Sequence, residues 1–348
     1  MNRWRGLLFS LLAVTLVGCG GCSPLYVLEG AMVQGRILLS REPVARVLRD
    51  PDLPEAQRAK LELLLEARAF AGEGMGLEVG DAYASYAEVP EGALVWVVSA
   101  ARQTRLESYT WWFPIVGRVS YKGFFDKPDA ESLVRHLQQE GWDTYLRPSS
   151  AFSTLGWFDD PILSNWLRRD DVALVDLLLH ELTHRSFYRS GHTDFNESFA
   201  TWAGRAGAYA FFREREGAEA ANTQRAFKRL EESFRSSARW GAEIEKLEKF
   251  YRRAEREKWS REKILEERRE VYRVFGDPDR VNNAVILARF AYQRDLSDFR
   301  CAQETTRASL PEVLASTWRK ASASVDPFAA IRCQDDAGQS DGAPAGRS

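Results

Sequence analysis

The stretch VALVDLLLHELTHRSFYRSGHTDFNESFAT, from Val172 to Thr201, carries three of the four histidines in a chain of 348 residues. Its first half is apolar almost all round, which predicts a buried helix. Asp170 or Asp171 precedes this run and is placed to cap the helix. Buried histidines are costly when their ring nitrogens have no partner. The stretch therefore predicts a buried helix that binds a metal ion, because one ion would satisfy two imidazoles at once.

The spacing of the histidines on this helix suits a shared ligand. His180 and His184 are four residues apart, so both rings lie on one face. Glu181 flanks the pair and can take a proton from a water molecule on the metal. Two imidazoles with an adjacent carboxylate base form the HExxH pattern. Short motifs also occur by chance, and the alternative is a helix whose histidines are ordinary core or surface residues.

A catalytic zinc site needs a third protein ligand and keeps one open position. Glu197 is the predicted third ligand, because the thirteen residues after His184 allow a turn and the start of a second helix. Asp194 is an alternative ligand, since it lies in the same short connection. His192 is a weaker alternative for the same reason.

The connection between the two predicted helices contains the residues that a tight turn needs. Gly191 can end the first helix, and Thr193 or Asp194 can cap the second, which we expect to begin near Asn196. Asn196 could orient a ligand through a hydrogen bond. His192 could also do so, or it could stabilise the oxyanion of a transition state. Three tyrosines are further candidates for the oxyanion role: Tyr188, Tyr209 and Tyr292.

The first eighteen residues have the features of an export signal rather than of a folded segment. Two arginines precede the apolar run GLLFSLLAVTLVG, which is too short to span a bilayer as a stable anchor. The following LVGC is similar to the bacterial lipobox, in which the cysteine is lipidated and begins the mature chain. That cysteine is Cys19, and Cys22 is a weaker position for the lipid. An ordinary cleaved signal or a lone membrane anchor is the alternative.

A lipid on Cys19 would place the protein in the bacterial cell envelope, facing the periplasm. Gly20 rather than an aspartate follows this cysteine, which favours the outer membrane over the inner one. Outside the N-terminal segment the only cysteines are Cys301 and Cys333. An exported protein meets an oxidising compartment, so we predict that these two form a disulfide, with two buried free thiols as the alternative.

The composition is that of a globular protein, with 45% hydrophobic and 28% charged residues. The 48 basic and 50 acidic residues give a net charge of −2. The chain therefore lacks the excess of basic residues that would indicate a nucleic-acid partner.

Before Asp170 the sequence alternates between helical and strand patterns. Apolar residues repeat at three and four positions over 25–50 and again after Pro54, which predicts two helices. Asp126 is placed to cap a third, DKPDAESLVRHLQQEG. Short β-branched or alternating runs predict three strands: GALVWVVSA at 92–100, TWWFPIVGRVSYKG at 110–123 and WDTYLRP at 142–148.

After Asp170 the sequence is almost wholly helical. Residues 204–274 are rich in Arg, Glu, Lys and Ala and contain no Pro, which predicts long solvent-facing helices broken near Gly241. The segment GDPDRVNNAVILARFAYQRDL is a further capped helix. We therefore predict an α+β fold, with a small mixed sheet followed by a mainly helical, zincin-like metallopeptidase region that includes long charged helices.

The length and patterns also predict the domain organisation. Residues 1–18 are the lipoprotein signal, and 19–334 form a single metallopeptidase domain. Within that domain, 25–150 form the α/β part and 151–334 the helical part with the zinc site. The tail 335–348 is disordered by composition.

A resemblance extends beyond the HExxH pattern. In this order the chain contains a lipobox, VLEGAMVQGRILLSREPV, YKGFFD, STLGWFDDPILSNWL, LLHELTH, NESFATWAG and NNAVILARFAYQRDL. Together these segments, from about Tyr26 to Phe299, resemble a bacterial family of zinc-dependent aminopeptidases that are typically lipoproteins. The stretch NESFAT is also similar to the second-helix motif of the thermolysin-like gluzincins, in which the glutamate binds zinc.

The resemblance implies a hydrolase that cleaves peptides with one Zn²⁺ ion. It implies His180, His184 and Glu197 as ligands and Glu181 as the general base. The residue that would hold a free α-amine is not identified, and the Gly-x-Met-x-Asn motif of one large aminopeptidase family is absent. A zinc endopeptidase and a non-catalytic envelope lipoprotein with a structural zinc site remain alternatives.

Overall fold

The computed structural model describes residues 35, 37–90, 95–113, 117–149, 159–292, 294–306 and 308–333. Cys19 and Cys22 lie outside the described residues, as do the signal segment 1–18 and the tail 335–348. The structure confirms an α+β fold with small sheets and many helices.

The first strand and the helix that follows it are short. Strand β1 (Glu42–Pro43) leads directly into helix α1 (Val44–Val47), and the long helix α2 (Glu55–Glu73) follows. Residues 35 and 37–40 are helical, so the predicted helix over 25–50 is confirmed in that part. It does not continue to residue 50 as one helix, because β1 interrupts the helical pattern to pair with β2 (Ser85–Ala87). Helix α2 begins after Pro54, as the sequence predicts.

The central sheet has three antiparallel strands, with β3 (Val95–Arg102) between β6 (Tyr121–Phe124) and β7 (Trp142–Ser149). A hairpin pairs β4 (Trp111–Phe113) with β5 (Gly117–Val119). The predicted single strand over 110–123 is thus three short strands. A second small sheet places β2 between β1 and β8 (Ile162–Leu163).

Side chains alternate between the two faces of the central sheet. One face, including Val98 and Leu146, packs on helix α3 (Lys127–Gln139). Asp126 occupies the N-cap position of α3, but its side chain accepts no capping hydrogen bond. The other face contacts helix α8 (Asn283–Phe290), which the Asn282 side chain caps.

The remaining chain is helical. A short 3₁₀ turn (Ser164–Arg168) precedes α4 (Asp171–Ser186) and α5 (Thr193–Glu216). The later helices are α6 (Ala221–Arg256), α7 (Arg261–Tyr272) with a 3₁₀ turn after it (Arg273–Phe275), α8, α9 (Leu296–Thr306), α10 (Leu310–Ser322) and α11 (Pro327–Ile331).

The predicted break near Gly241 is wrong, because α6 runs through this residue without interruption. The chain turns instead at Gly217, whose φ of 87° lies in the region that glycine adopts at little cost.

The largest apolar core joins α2 to α4 and α5, and residues of α9, α10 and α11 also belong to it. A second core joins the C-terminal half of α6 to α7 and α8. A buried, bidentate ion pair between Arg268 of α7 and Asp143 of β7, at 2.9 and 3.0 Å, ties this second core to the central sheet. Within the described ranges, no helix combines the length and apolar character that crossing a bilayer requires.

Candidate metal centre

Helix α4 supplies two of the side chains that converge at the site. Asp170 caps it, as predicted, by accepting a hydrogen bond of 3.0 Å from the amide of Ala173. The helix is apolar on nearly all sides and packs between α2 and α5. His184 is buried and His180 nearly so, and the side chain of His180 is 14% exposed.

Helix α5 supplies the third side chain. The helix begins at Thr193 rather than near Asn196, with His192 at the N-cap position and no side-chain cap. Asp194 lies in the first turn and pairs with Arg294 at 3.7 Å, so the prediction that Thr193 or Asp194 caps this helix is wrong. Glu197 is one turn into the helix and is buried.

The two helices approach closely because α5 has small residues on the shared face. A Cβ placed on Gly204 would lie 2.8 Å from the carbonyl oxygen of Asp176 and 3.1 Å from the amide nitrogen of His180. Gly204 is two turns after Glu197, so it faces the same side of α5 as the ligand. The glycine therefore sets the helix separation at which Glu197 reaches the histidines.

Three ligand atoms meet between the helices. The Nε2 atoms of His180 and His184 are 3.1 Å apart, and Oε2 of Glu197 lies 3.4 Å from the first and 3.6 Å from the second. Ligands at about 2.0–2.1 Å from a tetrahedral zinc are separated from one another by roughly 3.3 Å. The three atoms therefore fit a divalent ion, and no fourth His, Cys, Asp or Glu joins this group in the described part of the chain.

The ionisation of these groups reflects their mutual contact. Burial alone would raise the pKa of Glu197, but the two histidines lower it well below the usual range. Burial alone would lower the pKa of His180, yet its hydrogen bond to Glu197 and the charges of Glu181 and Glu197 raise it. The buried Nδ1 of His184 has no hydrogen-bond partner among the described residues, so packing holds this ring.

Glu181 follows His180 in the chain and is not part of the three-residue group that could hold a metal ion. The charge of Glu197, then burial and a smaller contribution from Glu181, raises the pKa of Tyr292. Burial and the charges of Glu197 and Glu181 likewise raise the pKa of Tyr121. Tyr292 places its ring 6.4 Å from that of His180, at an interplanar angle of 27°. The carboxylate of Glu181 and the two phenols therefore share the neighbourhood of the three ligand atoms.

The other predicted site residues have different surroundings. Burial and the charge of Glu197 raise the pKa of Tyr188, which places this phenol near the ligands. Burial and the charge of Arg189 lower the pKa of His192, and Asp326 opposes that shift. His180, His184 and Glu197 are not among the causes of the shift. Tyr209 is partly buried at the edge of the largest apolar core and packs on the exposed Phe227.

The side chain of Asn196 holds the connection between α4 and α5. Its Oδ1 accepts a hydrogen bond from the amide of Arg189, and its Nδ2 donates to the carbonyl of the same residue. Asn196 thus fixes the loop between the two ligand helices, rather than bonding to a ligand itself.

Sequence reasoning missed two residues near the ligands. Tyr121 on β6 and Arg147 on β7 line, together with Glu197 and Tyr292, a cavity between the central sheet and α8. The alternation of WDTYLRP places Arg147 on the same face as Asp143, which is the only signal that the sequence offers. Nothing in the sequence indicates which element that face contacts.

The structure joins Cys301 of α9 to Cys333, which follows α11, with their Cα atoms 6.0 Å apart. The amide of Cys333 also donates to the carboxylate of Asp298. These contacts fasten the C-terminal end of the described chain to α9.

Comparisons of the chain with curated proteins and with solved structures give no significant match. A family model with the description "Putative aminopeptidase" matches residues 25–325, which include both ligand helices and the central sheet. Its name indicates peptidase activity and hence peptide substrates. With most of its length matched, the chain belongs to this aminopeptidase family.

Proposed function

We propose that this protein is a zinc-dependent peptidase, and specifically an aminopeptidase. The observation that carries the proposal is the convergence of His180, His184 and Glu197 at separations of 3.1, 3.4 and 3.6 Å. Glu181 follows His180 in the chain, and its charge raises the pKa of that histidine. Two histidines and one carboxylate leave a zinc ion one open position, which is the arrangement of catalytic sites. The family membership supports peptides as the substrate class.

The proposed mechanism gives Glu181 the role of general base. Zinc bound at these ligands would lower the pKa of a water molecule to about 7 and polarise the scissile carbonyl. The Glu181 carboxylate accepts a proton as the water attacks, and it then delivers that proton to the leaving amine. Glu197 must stay ionised to bind a cation, and its lowered pKa supports this.

The proposed donor to the developing oxyanion is the hydroxyl of Tyr292. Its ring is next to that of His180, and its raised pKa keeps the phenol protonated and able to donate. Tyr188 and Tyr121 are also near Glu197, but no contact with either ligand histidine supports them as strongly.

We also propose that Cys19 carries a lipid and anchors the protein in the cell envelope, on its periplasmic side. The support is the lipobox-like LVGC after an apolar run with two preceding arginines. An envelope location agrees with the disulfide between Cys301 and Cys333, since disulfides persist in oxidising compartments.

The test combines metal analysis with hydrolysis of peptides that have a free or an acetylated N-terminus. We expect one zinc per chain and preferential cleavage of the free peptide. The variant Glu181→Gln should keep the metal and lose at least ~10²-fold in turnover, because an amide cannot act as the base. The matched control is Glu140→Gln, which makes the same change at an exposed residue at the C-terminal end of α3.

Two other outcomes would replace the proposal. Equal cleavage of the acetylated peptide would identify an endopeptidase. Bound zinc without hydrolysis of any peptide would identify a structural metal site. Separately, full activity of Glu181→Gln would contradict the proposed mechanism.

A further inference from the structure

The cavity between the central sheet and α8 differs from the metal site in its chemistry. It is narrow, with a volume of about 20 Å³, which is room for roughly one water molecule, and it is partly open to solvent. One wall consists of the small or apolar α8 side chains Ala284, Leu287 and Ala288, with Ala291 just beyond the helix. The sheet contributes two hydroxyls and one cation, from Ser99, Tyr121 and Arg147, and Ser120 adds a hydroxyl just before β6. Glu197 also lines this cavity, so it opens beside the metal ligands.

The cation in this cavity has no carboxylate partner among the residues that the structure describes. Arg147 forms no salt bridge with any described residue, and its one side-chain hydrogen bond is a long contact of 3.5 Å from Nη2 to the hydroxyl of Tyr292. A guanidinium has five N–H donors in a planar fork that fits a carboxylate. Arg268 of α7 satisfies this preference with Asp143, which lies on the same face of β7 as Arg147. Arg147 therefore has most of its donors available in a partly buried position beside the ligands.

Tyr292 limits the distance between Arg147 and the metal. Its ring is 6.4 Å from the ring of His180, and its hydroxyl is 3.5 Å from Arg147. An extended peptide residue spans about 3.3–3.6 Å, so the guanidinium lies no more than roughly three or four residues from the ligand histidine. A group bound by Arg147 is therefore close to the bond that would be cleaved.

We propose that Arg147 binds the C-terminal carboxylate of the substrate and thereby selects short peptides, of about two to four residues, over longer ones. The inference rests on the proposed peptidase function and adds the substrate class. A bidentate Arg–carboxylate pair is strong and directional, and the partly buried setting reduces competition from water. The apolar α8 wall would contact the side chain of the residue that carries the carboxylate.

Arg147 could instead act only by holding the Tyr292 hydroxyl, and the two roles make different predictions. A positioning role affects every substrate equally. Carboxylate binding affects only substrates that end in a free carboxylate.

The experiment compares a tripeptide acid with the corresponding C-terminal amide, using the full mature chain loaded with zinc. The variants are Arg147→Met, which removes the charge, and Arg135→Met, a matched control on the exposed side of α3. For the wild type and the control, kcat/KM should be roughly 10- to 100-fold higher for the acid than for the amide, the range for a hydrogen bond to a charged group. In Arg147→Met the preference should disappear, mainly through a rise in KM for the acid.

Calorimetry provides a readout that does not need turnover. The acid tripeptide should bind zinc-loaded Glu181→Gln more tightly than the amide, and the double variant with Arg147→Met should bind both equally. A wild type that cleaves acid and amide at the same rate would overturn the carboxylate proposal while leaving the peptidase function intact. A wild type that cleaves neither would overturn the peptidase function, and calorimetry would still decide the role of Arg147: equal or absent binding of the acid would refute it.

Discussion

Replacing Gly204 with alanine should test whether the close packing of α4 and α5 sets the geometry of the metal site. The new Cβ would lie 2.8 Å from the carbonyl oxygen of Asp176, whereas ordinary contact begins at 3.4 Å. The helices would have to separate by about 0.6 Å, the difference between these distances, because the opposing atoms are backbone or buried. Metal sites tolerate only about ±0.2 Å in ligand distance. The separation would therefore pull Glu197 away from the histidines.

The matched control is Gly241→Ala, since a Cβ there has no atom within 4 Å and the residue is also inside a helix. Both substitutions gain the same helix propensity, about 1 kcal/mol. Overpacking should make Gly204→Ala less stable than Gly241→Ala by about 1–3 kcal/mol. Zinc affinity should fall roughly 10- to 100-fold in Gly204→Ala alone, as for other changes that disturb ligand orientation.

Two measurements check these expectations. Denaturant unfolding of the metal-free variants gives the stability difference, and competition with a chelator gives the zinc affinity. If Gly204→Ala equals Gly241→Ala in stability and binds zinc like the wild type, the helices are not in the contact described here and the reasoning is refuted.

Three further predictions concern the other ligand candidates, the disulfide and the N-terminus. Glu197→Ala should weaken zinc binding by more than roughly 100-fold. Asp194→Ala should keep the metal and change the free energy of unfolding by less than about 1 kcal/mol, because the pair of Asp194 with Arg294 is partly exposed. Metal titration of both variants checks this, and the reverse result would make Asp194 the ligand. Replacing Cys301 and Cys333 with serine should lower the free energy of unfolding by about 3–4 kcal/mol for a loop of 32 residues, and an unchanged value against the oxidised wild type would count against the bond. Cys19→Ser should release the protein from membranes or block its maturation, which membrane fractionation measures. Unchanged membrane retention of this variant, together with a wild-type N-terminus that mass spectrometry shows to carry no lipid, would contradict the prediction.

Local patterns predicted helices well where a cap and an apolar run agree. Helix α4 begins after Asp170 because the aspartate side chain bonds to an amide in the first turn. The helix predicted over 276–296 is shorter in the structure, where α8 covers only Asn283–Phe290 and Asn282 caps it. The break predicted near Gly241 failed since one glycine costs a helix only about 1 kcal/mol, and the 36 residues of α6 pack on neighbours along both halves.

The start of α5 also departed from the local pattern. Thr193 and Asp194 are good caps, yet the helix begins at Thr193 without a side-chain cap. The Asn196 side chain bonds to both backbone groups of Arg189, and these bonds fix the loop and the point at which α5 begins. A bond across seven residues of an irregular loop has no sequence signal comparable to a helix cap.

The sequence by itself determined the parts of this protein that depend on spacing along one helix. His180, Glu181 and His184 are on a buried helix because the i, i+4 geometry and the apolar run are local properties. Only the tertiary structure decided what meets them. Glu197 reaches the histidines because Gly204 lets two helices approach, and Arg147 lies near them because the sheet packs on α8. Such contacts join residues far apart in the chain, and their distances follow from packing rather than from sequence separation.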